Sequence, residues 1–110
     1  MRVDMEFLFL SGAGYDELVK RLTSNPRFVF KVVGESRIDK RTKRARVKGW
    51  VKVRHSRAGT HRGTIKIIKD HGYCWCEISD QSMGRLTGSW TSWLLRNADD
   101  LVGGIDMRHV

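Results

Sequence analysis

The sequence predicts an α+β fold in which a six-stranded antiparallel sheet carries two helices on one face. Several short segments alternate apolar and polar residues with period 2, which is typical of half-buried strands. Other segments place apolar residues at helical spacing, and the connecting loops are short, which favours antiparallel hairpins. A chain of 110 residues suits a single domain, residues 1–110, with one core.

The clearest strand covers residues 44–55. Its odd positions from 45 to 53 are apolar or small, whereas its even positions carry five cations and one aromatic residue, Trp50. Strict alternation of this kind predicts a half-buried strand with one apolar face and one cationic face.

The other early elements follow from the same patterns. A helix is predicted over residues 15–22, where Tyr15, Leu18 and Leu22 share one face and Asn25-Pro26 ends the helix. Four further strands are predicted from alternation or from dense β-branched and aromatic runs, at residues 3–10, 28–33, 63–69 and 73–79.

Residues 85–95 fit two structures. Trp90, Trp93 and Leu94 could form one helical face, but the Thr, Ser and Gly residues among them are poor helix formers. We therefore predict a sixth strand here and a second helix over residues 97–110, with Asn97 as its N-cap. The inward residues of the sixth strand would be Leu86, Trp90 and Leu94.

The predicted order is strand, helix, five strands and helix. With Leu-Val-Lys-Arg-Leu-Thr-Ser-Asn-Pro at residues 18–26 and Gly-Arg-Leu-Thr-Gly-Ser-Trp at residues 84–90, it resembles the helix-grip proteins. These are the START and polyketide-cyclase-like superfamily, which includes small archaeal members of unknown function. The resemblance implies a curved sheet around a C-terminal helix and a non-enzymatic domain that holds a small apolar ligand in the groove between them.

The groove that this resemblance implies would be lined by inward-facing residues of the sheet. These are Phe7, Phe9, Val47, Val51, Ile65, Ile67, Cys74, Cys76, Leu86 and Trp90. The alternative is a filled core, since protein interiors are close-packed.

Positive charge is concentrated in the middle of the chain. The net charge is +9, and residues 37–69 contain thirteen Lys or Arg and a single acid, Asp39. Such a balance attracts polyanions, although a charged surface also serves solubility alone.

The alternative function is therefore single-stranded nucleic-acid binding, RNA or DNA, through the cationic outer face of the sheet. Cations neutralise phosphates, and exposed rings stack on unpaired bases. The residues predicted to form this surface are Arg44, Arg46, Lys48, Trp50, Lys52, Arg54, Lys66 and Trp75.

Catalysis and metal binding receive little support. The four histidines lie outside any hydrolase, metalloprotease or phosphate-loop motif. Cys74 and Cys76 share a strand face near His71, but buried thiols are more common than a zinc site with this spacing. We expect no enzyme activity, no metal and no cofactor. Without a transmembrane-length run or a signal-peptide pattern, we expect a cytoplasmic protein.

Overall fold

A computed structural model describes residues 1–9, 14–24, 29–36, 48–70 and 73–109, except for the side chains of Leu8, Phe9 and Lys48. In chain order the elements are β1 (Arg2–Phe9), α1 (Gly14–Ser24), β2 (Phe30–Glu35), β3 (Lys48–His55), β4 (Gly63–Asp70), β5 (Tyr73–Asp80), α2 (Arg85–Asn97) and β6 (Val102–His109). The α+β class, with a six-stranded antiparallel sheet and two helices, is confirmed.

The strands lie in the order β2-β3-β4-β5-β1-β6. The four strands β2 to β5 form an antiparallel meander, and β1 then pairs with β5 on one side and β6 on the other. β2 and β6 are therefore the two edge strands.

One face of the sheet is buried. Val51, Ile67, Cys76 and Met5 are cross-strand neighbours on β3, β4, β5 and β1, and none is more than 3% exposed. The helices pack on this inner face. They contribute Leu18 and Leu22 from α1 and Leu86, Trp90, Trp93 and Leu94 from α2 to the same buried cluster. Both helices thus cover one side of the sheet, as predicted.

Residues 85–95 belong to a helix, α2, so the prediction of a strand there is wrong. Leu86, Trp90 and Leu94 nevertheless face inward, as expected. A spacing of four places residues on one side of a strand and also on one face of a helix, so the apolar pattern alone does not separate the two.

Side chains at the end of β5 and in the loop that follows it favour the helix. The Asp80 carboxylate accepts hydrogen bonds from the backbone N–H and the hydroxyl of Thr87, at 3.1 and 2.7 Å. The Ser82 hydroxyl accepts the N–H of Leu86 at 2.8 Å. These bonds satisfy donors that the first turn of a helix leaves free, and so they offset the low helix propensity of the residues that follow.

Residues 102–109 form a strand, β6, so the prediction of a helix over residues 97–110 is also wrong. Asn97 is the last residue of α2 and not an N-cap. The Arg21 guanidinium donates to the carbonyl of Asn97 at 2.7 Å and to both carboxylate oxygens of Asp100 at 2.6 and 2.8 Å. The last turn of α2 is fixed in this way, and the chain then pairs along the free side of β1, where its backbone groups find partners.

Replacement of Asp80 by Ala should lower the free energy of unfolding by about 2 kcal/mol, because it removes the cap and leaves buried donors without an acceptor. Burial works to raise the pKa of Asp80, but the hydrogen bonds from Ser82 and Thr87 bring it to about 2, below its ordinary 3.8. The stability from this carboxylate is therefore present above about pH 4 and is lost as the pH falls through about 2.

Urea denaturation near pH 7 measures the effect, with Asp99→Ala as the matched control. Asp99 is exposed just beyond the other end of α2. Equal stability of the two variants would contradict the capping role of Asp80.

Candidate functional site

The sheet face opposite the helices carries a group of cations on β2, β3 and β4. We call this group the basic half of the open face: Lys31, Trp50, Lys52, Arg54 and Lys66. Its side chains alternate with the buried residues of the same strands, so they point away from the core. Between residues 48 and 69 the chain has seven Lys or Arg and no acid, which gives this surface a single sign of charge.

The cations of the basic half face one another across the strands. Lys52 lies directly opposite Lys66, and Lys31 lies directly opposite Arg54. None of the four forms an ion pair with any residue that the structure describes. Like charges in directly opposed positions destabilise a sheet. Lys66 also faces Glu77 on its other side, but the two like-charged pairs cost stability, and a bound polyanion would relieve that cost.

Trp50 lies in the row next to the Lys52–Lys66 pair, at one end of the basic half, and is partly exposed. Its six-membered ring passes so close to Gly34 that a Cβ there would lie 3.3 Å from Trp50 Cζ3. The ammonium of Lys66 lies over the ring at 4.9 Å from its centroid. Ser36, directly after β2, fixes the chain at this position: its backbone N–H donates to the Trp50 carbonyl and its hydroxyl accepts the Trp50 backbone N–H, both at 2.9 Å.

Trp50 also begins an apolar row across the open face. Ile68 is its neighbour on β4, and Trp75 is the neighbour of Ile68 on β5. Two strand spacings separate the two tryptophans, which is roughly 10 Å. The row ends at Glu6 on β1, where the sign of the surface charge changes.

The remaining half of the open face, on β5, β1 and β6, is mainly acidic. Carboxylates of Asp4, Glu6, Asp70 and Asp106 surround a concave pocket of about 590 Å³ that Trp75 also lines. We call it the acidic pocket. The prediction from sequence missed it, because it depends on β6, a segment that the prediction placed in a helix.

The structure brings together five of the eight residues predicted to bind nucleic acid. Trp50, Lys52, Arg54, Lys66 and Trp75 share the open face. The predictions for Arg44 and Arg46 fall outside the described residues, and Lys48 belongs to β3 with a side chain outside the description.

The residues predicted to line an apolar groove are buried among one another and the helices. Phe7, Val51, Ile65, Ile67, Cys74, Cys76, Leu86 and Trp90 all belong to the core cluster and are at most 7% exposed. Val47 lies outside the described residues, and Phe9 belongs to β1 with a side chain outside the description.

The two thiols in this core are poor nucleophiles and poor metal ligands. Burial raises the pKa of Cys74 to about 12 and holds the pKa of Cys76 well above its usual value, so both stay protonated. The indole N–H of Trp90 lies close to the Cys76 sulfur, which is only a weak acceptor. Within the described ranges, no group of three His, Cys, Asp or Glu could hold a metal ion.

His55 is buried between β3 and α2, and it has a serine partner that the sequence did not indicate. Its Nδ1 accepts the backbone N–H of Arg57 at 2.9 Å, so the proton of the neutral ring is on Nε2. That nitrogen lies 3.0 Å from the Ser89 hydroxyl and donates to it. A base must instead accept the hydroxyl proton, so this geometry does not activate Ser89 as a nucleophile.

His55 is also surrounded by rings. His61 stacks on it with centroids 4.0 Å apart, and Phe30 meets it edge-on at 5.3 Å. Burial, followed by the nearby His61 and Arg57, lowers the pKa of His55 from its ordinary value. The residue therefore links β3 to α2 as a neutral side chain.

Comparison of the chain with protein-family models, with curated proteins and with solved structures gave no match. Of the two helices, neither is long and apolar enough to cross a membrane within the residues described. Function is therefore inferred from the geometry of the open face.

The free energy of unfolding should fall as the pH drops from about 7.5 toward 5, because the unfolded chain protonates its histidines near pH 6.5 while folded His55 resists protonation. Urea denaturation at several pH values measures this slope. It should be smaller in His55→Gln than in the parent protein. Identical slopes in the two proteins would show that His55 is not held neutral by the fold.

Proposed function

We propose that this protein binds single-stranded nucleic acid through the basic half of the open face. The observation that carries the proposal is two pairs of opposed cations, Lys52–Lys66 and Lys31–Arg54, in successive rows next to the partly exposed Trp50. Four cations without ion pairs favour phosphates, and an aromatic ring among them favours an unstacked base.

Each part of the surface has a distinct role in this proposal. Lys31, Lys52 and Arg54 contact phosphates, which neutralise the repulsion across the strands. A base stacks on the Trp50 ring, which every base can do because each has a π-face. Lys66 leaves its position over Trp50 as the base enters and moves to a phosphate, since a lysine side chain has a long flexible stem.

The extent of the basic half limits the number of nucleotides that it contacts. Three neighbouring β-strands span roughly 10 Å, which is room for a few nucleotides. The exposed loop residues Arg57 and Arg62, between β3 and β4, extend the positive charge beyond the sheet. The acidic residues on β5, β1 and β6 repel the sugar–phosphate backbone, so the nucleic acid stays on β2, β3 and β4.

Binding of a small apolar ligand to the inner face stays a prediction. The buried side chains of both helices would have to repack to admit it, because they contact the same cluster that the ligand would occupy. The open face needs no such rearrangement, and on this ground we favour nucleic acid.

Trp50→Ala should weaken binding to a labelled single strand by about 1–3 kcal/mol, because it removes one stacking platform. Lys52→Gln should weaken binding to every sequence and lower the slope of log K against log salt by about 0.7, the value for one lost phosphate contact. Fluorescence anisotropy across a salt series measures both effects.

Arg96→Gln is the charge-matched control for Lys52→Gln, since Arg96 is exposed in the last turn of α2 on the other side of the sheet. It should change affinity little. Equal losses in the two variants would mean that the net charge alone attracts the strand. No binding at low salt would refute the proposal.

A further inference from the structure

The acidic pocket is distinct from the basic half: it lies on the same open face of the sheet, but at the end formed by β5, β1 and β6. Its walls come from three neighbouring strands: Trp75 on β5, Asp4 and Glu6 on β1, and Asp106 and Arg108 on β6, with Asp70 at the end of β4. Its volume of about 590 Å³ is in the range of small-molecule sites in proteins, roughly 300–1,000 Å³.

The charge of this pocket is opposite to that of the protein. Four carboxylates and one guanidinium line it, which gives a formal charge of −3 on a chain of net charge +9. A cation enters against the overall charge, so only the local field of the pocket can hold it.

Three of the four carboxylates, Asp4, Glu6 and Asp106, differ in how far arginines neutralise them. Asp4 has an ion pair with Arg2 at 3.2 Å, and Asp106 has a longer one with Arg108 at 3.8 Å. Glu6 forms none with the described part of the chain. Glu6 also lies directly opposite Asp106, which is an unfavourable pair of like charges in a sheet. A bound cation between them would reverse that repulsion.

Aromatic rings complete the pocket. Trp75 is the cross-strand neighbour of Glu6, so its indole lies beside the least neutralised carboxylate. Tyr73, which is 67% exposed, also lines the pocket. An organic cation gains from both features, since its charge interacts with carboxylates and its apolar stem and ammonium groups pack on aromatic faces.

We propose that the acidic pocket binds an organic polycation of the diamine or polyamine class. A bare metal ion fits less well, because it needs several oxygens around one point and the described residues provide no such group. The carboxylates lie instead on neighbouring strands about 5 Å apart, a spacing that suits ammonium groups joined by a short alkyl chain. This site is independent of the nucleic-acid surface proposed above.

Spermidine titrated into the protein tests the proposal by calorimetry and tryptophan fluorescence. Binding at a single site is expected, and it should be weaker for putrescine and weaker still for butylamine, because the number of ammonium groups decreases. Glu6→Gln should reduce the affinity about tenfold, because it removes the least neutralised charge. Trp75→Leu should also reduce it.

Glu35→Gln is the matched control, because Glu35 is an exposed acid on the far edge strand β2. This variant should bind spermidine with the same affinity as the parent protein. Glu6 is exposed, so Glu6→Gln keeps the fold, and urea denaturation checks this. The proposal is overturned if spermidine shows no binding at a concentration of about 10 mM, because a Kd above that value is too weak for a specific site. It is also overturned if Glu6→Gln and Glu35→Gln bind equally, or if Glu6→Gln instead dissociates a dimer, since the pocket would then hold a second copy of the chain.

Discussion

Both helices pack on the same face of the sheet, and the rest of the molecule depends on this one-sided packing. The inner face can be wholly apolar because Leu18, Trp90 and their neighbours cover it. The outer face has no such cover within the described residues, and its side chains are mostly polar or charged, apart from the row of Trp50, Ile68 and Trp75. What distinguishes this protein is that the charges are separated by sign: cations on β2, β3 and β4, and mainly acids on β1 and β6, with an apolar row between them. Mixed charges would have been equally soluble and more stable, because opposed like charges weaken a sheet.

Alternation along the strands was enough to predict most of this arrangement. The class and the assignment of Val51 to the core and Lys52 to the surface follow from period 2, and the structure confirms them. The error lies in the last quarter of the chain. Residues 86, 90 and 94 are compatible with a strand and with a helix, and the choice depends on the Asp80 carboxylate, which acts across seven residues of sequence. Helix and strand propensities of neighbouring residues do not reveal a cap of that kind. Because α2 was predicted as a strand, β6 was then predicted as a helix.

The same error explains which part of the surface could be anticipated. Most of the basic half comes from β3 and β4, which are contiguous in sequence and joined by a short loop, so those residues could be grouped by pattern alone, whereas Lys31 on β2 was missed. The acidic pocket joins β1 to β6, whose sequences lie about a hundred residues apart and meet only because β6 pairs along β1. No pattern within either segment indicates that Glu6 faces Asp106. The helix-grip resemblance stays a prediction, since the comparisons gave no match.

The central claim is that single-stranded nucleic acid binds the open face of the sheet and does not contact the face that the helices cover. The four tryptophans test it directly, because Trp50 and Trp75 lie on the open face, while Trp90 and Trp93 belong to α2 and are buried in the core. Nuclear magnetic resonance of the ¹⁵N-labelled protein resolves one indole N–H signal for each. Titration with a short single-stranded oligonucleotide at low salt should shift the Trp50 indole signal most, with smaller shifts at Trp75 and none at the two buried rings. Shifts of Trp90 and Trp93 without a shift of Trp50 would contradict the account.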